Sequence, residues 1–188
     1  MGGDLAAMAA LKGTHYPSIA GLIDVLTLPG TWPVILYRVG SALHAAGLRP
    51  LSRCIYFLNC VIFGVEFQFG SRVGPGLVVA HPVGTAFGAE VVMGRGVTLT
   101  GGNRLGTGGT RGKSGSPVLG DGVWMLDGAK AFGPLNIGDE AVIGVSAVVM
   151  EDIPARTIAV GIPARVLRER TDLEDRAGTG EEDPEWDA

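Results

Sequence analysis

The side chain best placed to do chemistry is His81. It lies in the stretch Val78–Gly88, V-V-A-H-P-V-G-T-A-F-G, among glycines and small residues. A neutral imidazole titrates near physiological pH, so it can take the proton that an alcohol or amine loses as it attacks a carbonyl carbon. A lone histidine more often fills a structural place. Its position singles His81 out: apolar residues recur every six positions on both sides of it, and two extra residues break that series directly after it. A titratable group beside an interruption in regular structure is a candidate site. Metal catalysis on such a scaffold would need a set of histidine ligands. His81 is the only histidine in the repeat region, so no metal is expected.

The series that must position His81 runs Phe67, Val73, Val79, then Phe87, Met93, Leu99, Leu105, then Leu119, Met125, Ala131, Ile137, Ile143, Val149. Neither the 3.6 period of a helix nor the 2 of a plain strand generates a sustained six. A parallel β-helix does, because each side of a coil is a short strand plus a turn and stacked coils build one core. A sandwich of regularly spaced strands competes poorly with a series of this length. Three regions follow: a helical N-terminal region 1–64, a β-helix over 65–167, and an acidic, disordered tail 168–188. The second interruption is a glycine-rich stretch at 101–117, read as part coil and part protruding loop. Its backbone N–H groups can approach a polar ligand and hold a developing oxyanion. It lacks the spacing of a phosphate-binding P-loop.

In the N-terminal region, residues 1–14 are weakly patterned and are expected to fray. Helices are predicted from Pro17–Ser18 to about Leu28, from a Thr31 cap to Gly47, and over roughly Leu51–Phe63. The last is apolar nearly all round, so another element or subunit must cover it. Its window Cys54–Val65 is too short to span a bilayer. Cys54 and Cys60 within it read as buried free thiols. Together with the absence of a visible signal peptide, they place the chain in the cytoplasm. The formal charge of −4 conceals a split: the last 18 residues hold eight acidic residues and one basic, leaving 14 basic and 11 acidic residues in the body. A mildly basic body without a Lys/Arg cluster suits a small anionic ligand and not nucleic acid.

Three segments together resemble the serine acetyltransferase family of left-handed β-helix acyltransferases: L-P-G followed by R-V-G-S-A-L-H-A-A-G, the hexapeptide coils, and the terminal V-G-I-P-A-R. The likeness covers roughly Tyr16–Leu167. It implies a mainly β protein, a left-handed parallel β-helix behind an α-helical subdomain. It also implies acyl transfer from acetyl-CoA to a hydroxyl, in homotrimers or dimers of trimers. The family's catalytic histidine falls on His81, and the carboxylate that orients it falls on Glu66, where the family has aspartate. The acceptor-binding positions fall on His15, Ala80, Gly115 and Ser116, and all four have changed type. The family's aspartates suit a substrate ammonium and its Arg-His pair a carboxylate, so the changes argue against free serine as acceptor. Gly106, Thr107, Gly108, Lys130 and Arg165 are the candidates for holding the acyl-CoA cosubstrate. The family's docking onto cysteine synthase uses a C-terminal isoleucine, whereas this chain ends Asp187-Ala188, so that partner is not expected. The resulting expectation is a CoA-dependent O-acyltransferase acting on a small molecule other than free serine. Its rivals are a trimeric scaffold that has lost turnover, and a transferase with another acyl donor or an amine acceptor.

Overall fold

The computed structural model describes residues 1–13, 18–110 and 113–171. The six-residue period becomes a parallel β-helix with three sheets. Its first coil is β1 (Glu66–Phe67), β2 (Arg72–Val73) and β3 (Val78–His81), and its second is β4 (Ala86–Phe87), β5 (Val92–Met93) and β6 (Thr98–Gly101). The third holds β7 (Arg104–Gly106), an antiparallel hairpin of β8 (Gly108–Thr110) and β9 (Lys113–Gly115), then β10 (Val118–Leu119) and β11 (Trp124–Met125). The fourth is β12 (Lys130–Phe132), β13 (Asn136–Ile137) and β14 (Val142–Ile143). β15 (Val148–Val149) and β16 (Thr157–Gly161) begin the fifth, and β17 (Ala164–Glu169) folds back antiparallel on β16.

The sheets run β1-β4-β7-β12-β15, β2-β5-β10-β13 and β3-β6-β11-β14-β16. The inward residues of one sheet therefore stack on one another: Phe67, Phe87, Leu105, Ala131 and Val149 are all buried. Each fully buried aliphatic or aromatic side chain contributes roughly 1.5–3 kcal/mol relative to an exposed one.

Four helices close the first-coil end: α1 (Gly2–Leu11), α2 (Ile19–Leu26), α3 (Thr31–Ala45) and α4 (Arg49–Phe63). Tyr37 of α3 covers the open coil, with its ring edge-on to Phe67 and Phe87 and its hydroxyl 2.7 Å from the Ser71 Oγ. The Leu28-Pro29-Gly30 turn lies against β3. A Cβ built on Gly30 would stand 1.5 Å from the Val79 carbonyl oxygen, so only glycine permits this approach. Gly64, at φ 65°, ends α4 in the left-handed conformation that glycine adopts without steric cost.

Three expectations are corrected. Residues 2–11 do not fray but form α1, with Asp4, Met8 and Ala9 buried. The Asp4 carboxylate accepts from Arg38 Nε and Nη2 and from the backbone N–H of Gly76 and Leu77, which anchors the helix to the first coil. Thr31 is not a cap; it is buried inside the first turn of α3 and its hydroxyl donates to the Val25 carbonyl at 2.6 Å. Cys54 is a free thiol but exposed, because the side of α4 bearing Phe57, Val61 and Ile62 faces outward, each being 61–65% exposed. Among the described residues no single helix is long and apolar enough to cross a membrane, and α2 with α3 reaches that length only as a pair bent by 85°. His15 and residues 172–188 of the acidic tail lie outside the described residues.

Candidate active site

His81 ends β3 at a corner made possible by the two extra residues. The Thr85 N–H donates to the Pro82 carbonyl at 2.9 Å, closing a tight turn. The Gly84 N–H then donates to the Gly64 carbonyl at 2.9 Å and the Glu66 N–H to the Thr85 carbonyl at 3.1 Å. These bonds tie the corner carrying His81 to the start of β1, which carries Glu66. Both side chains are exposed, and neither makes a side-chain hydrogen bond or ion pair among the described residues. Ala80, beside His81, is half-buried and offers no charge.

On the β1 face a cleft of ≈ 380 Å³ opens above Glu66. It runs over Ala86 to Arg104, Gly106 and Thr107, with Glu90 and Phe132 on its sides. The predicted protruding loop is the β8–β9 hairpin, which folds back on the fourth coil. A Cβ on Gly108 would lie 2.8 Å from the Gly133 nitrogen, and one on Gly115 2.8 Å from the Pro134 Cβ. Ser116 follows the hairpin, with its Oγ 3.0 Å from the Thr107 Oγ1 and 3.5 Å from the Glu90 Oε2. The fold thus gathers Glu66, Gly106, Thr107 and Ser116 about one cleft.

Two predicted residues stand elsewhere. Lys130 stacks on Arg104 in the same sheet, but its Nζ donates to the Gly128 carbonyl at 3.0 Å. Arg165 lies at the far end of the stack in β17, 3.5 Å from the Glu151 carboxylate. A larger cleft of ≈ 470 Å³ lies between α4 and Phe69, lined by His44, Arg49, Arg53 and Tyr56. It touches the smaller cleft only through Gln68; His81 lines neither of them, and Glu66 lines the smaller. The Tyr56 hydroxyl is pushed up to about 12, chiefly by burial, then by its hydrogen bond with Cys60 and by the charges of Cys60 and Glu66. It stays protonated near neutral pH and is no base. No group of three or more His, Cys, Asp or Glu side chains that could hold a metal comes together among the described residues.

Sequence reasoning missed Arg104, Gln68 and Glu90 in the cleft, and also Asp127. Asp127 had a legible signal: it stands two residues after inward Met125, as His81 stands two after inward Val79. Gly101 occupies the same register between them, paired with His81 across β3 and β6.

No family model matches the chain. Its similarity is to individual proteins. It is 35% identical over 153 residues to the serine acetyltransferase of Helicobacter pylori, covering 80% of this chain and 89% of that one. To the serine acetyltransferase of Synechococcus elongatus it is 34% identical over 155 residues, 78% of this chain and 60% of that longer one. Among solved structures, Neisseria gonorrhoeae serine acetyltransferase superimposes with a TM-score of 0.79 at 28% identity, over 93% of this chain and 66% of that one. Serine acetyltransferase of Brucella abortus in complex with coenzyme A gives 0.80 at 25% identity, over 89% and 68%.

Proposed function

Because the chain belongs to the serine acetyltransferase family of hexapeptide-repeat acyltransferases, we propose that it moves an acetyl group from acetyl-CoA to the hydroxyl of a small molecule, with His81 as general base. The observation that carries this is the His81 corner: an exposed imidazole with no side-chain hydrogen bond, set by the two-residue insertion beside the strand that bears Glu66. The acceptor oxygen attacks the thioester carbonyl as its proton passes to the neutral imidazole. Collapse of the tetrahedral intermediate breaks the C–S bond, and the proton leaves with the CoA thiol. Glu66 is assigned the role of fixing the ring's tautomer and stabilising the imidazolium that forms. Backbone N–H groups at Gly106–Gly108 are assigned to the oxyanion. Lys130 and Arg165 are retained as candidates for the CoA phosphates, Arg165 only where assembly brings its end of the stack to a neighbouring cleft.

Replacing His81 with Ala should lower kcat by on the order of 10²–10⁴-fold while leaving the melting temperature unchanged. A variant with full turnover refutes the mechanism.

The named relatives make free serine the first acceptor to assay. We read it as a poor one, because Ala80, Gly115 and Ser116 bring neither a carboxylate for its ammonium nor a cation for its carboxylate. Serine turnover matching that of the best acceptor in a panel of small alcohols overturns this. We also read the assembly as a trimer or a dimer of trimers; the outward apolar face of α4 supports a subunit contact.

A further inference from the structure

We propose that the larger cleft, between α4 and Phe69, is a second binding site, suited to a small phosphate monoester that carries a planar or apolar group. The acyl-transfer step uses none of its residues, and its occupancy is read without turnover, so the two readings stand or fall separately.

The first observation is charge. The cleft is lined by Arg49 and Arg53 of α4 and by His44 near the end of α3, and no acidic side chain among the described residues lines it. None of the three makes a side-chain hydrogen bond or ion pair among the described residues. The charge of Glu66 reaches the Tyr56 hydroxyl, but Glu66 lines the neighbouring cleft and pairs with neither arginine.

The second is where these cations stand. Arg49 and Arg53 are four apart on α4, which sets them one turn apart on one face as a like-charge pair that repels. They also open the helix at the end where its peptide dipoles already concentrate positive charge. The first turn of α4 brings neither an acid nor a capping side chain to offset it. Only residues 46–48 separate α3 from α4, and His44 is thereby brought to the same cleft. Like charges gathered without an internal counter-charge are complementary to an anion from outside.

The third is the floor. Phe69 is half-buried, with the Tyr56 ring 6.3 Å away at 77° and the His44 ring 6.2 Å away at 41°. Gly40 of α3 makes room for Phe69, because a Cβ there would collide with its ring. The volume of ≈ 470 Å³ lies in the range that small molecules occupy. A guanidinium meets phosphate oxygens with paired hydrogen bonds, and a phosphate monoester carries close to two charges at neutral pH. The aromatic floor takes the rest of the molecule. A monocarboxylate would leave charge unmatched, and an uncharged aromatic would engage none of the cations.

The test is isothermal titration of the full chain, at constant ionic strength, with phenyl phosphate, methyl phosphate and benzoate. Phenyl phosphate should bind one site per chain, about tenfold or more tighter than methyl phosphate, the gain from covering a ring. It should exceed benzoate by a similar factor. Arg49→Gln and Arg53→Gln should each weaken phenyl phosphate by about tenfold or more, the worth of one charge-assisted hydrogen bond. Both variants should keep the affinity for CoA, and their unliganded melting temperatures should be unchanged or raised, since the repelling pair is gone. CoA at a concentration that fills its own site should not displace phenyl phosphate. Binding that survives both substitutions, or that benzoate matches, overturns the proposal. Displacement by CoA overturns it too, because the phosphate signal then belongs to the cosubstrate. So does a wild type that binds no phosphate while the arginine variants lose assembly in sedimentation velocity, which assigns the arginines to an ion pair with a neighbouring subunit.

Discussion

Replacing Asp4 with Ala tests how the helices are held on the β-helix. The Asp4 side chain is 5% exposed and its partner Arg38 19%. One carboxylate takes two bonds from the guanidinium at 3.0 and 2.8 Å and two from the Gly76 and Leu77 amides at 2.9 and 3.0 Å. Arg38 also donates to the Val73 and Gly74 carbonyls, so α1, α3 and the first coil meet at this pair. Removing the anion leaves a largely buried cation and two buried amides without their partner, at a cost of about 3–5 kcal/mol. For a domain of this size that lowers the melting temperature by roughly 6–20 °C. The pH dependence has a definite sign. Burial raises the Asp4 pKa, but the hydrogen bonds and charge of Arg38 and the Leu77 N–H outweigh it and hold the pKa below 3.8. The stabilisation is therefore fully present above the unfolded value and is lost as pH falls through the lower folded value. Thermal melts of both proteins between pH 7 and pH 3 should show the gap narrowing at the acid end. A variant as stable as wild type at pH 7, or a gap that does not shrink in acid, refutes the clamp.

Gly30→Ala should be among the most disruptive single methyl additions in the chain, since the new Cβ would stand 1.5 Å from the Val79 carbonyl oxygen. The α2–α3 turn must move off β3, two residues before His81, and a loss of about 1–3 kcal/mol by urea denaturation is expected, as for other overpacking changes. An unchanged midpoint refutes the close approach. Sedimentation velocity should find trimers or hexamers, and Phe57→Glu, on the 65% exposed ring of α4, should shift them toward smaller species. A monomer in the wild type refutes the assembly.

The coils were legible because the same inward position recurs every six residues and each occurrence is buried by the next coil. His81 was legible because the pattern breaks beside it. α1 was not, because its hold on the fold depends on one buried carboxylate reaching backbone amides 72 and 73 residues further on. Local patterning carries no trace of such a contact. The outward face of α4 was foreseen only as a requirement for cover. The register shared by positions 81, 101 and 127 was legible too, since each stands two residues after an inward apolar residue, although the hairpin insertion between Leu105 and Leu119 separates the third from the first two.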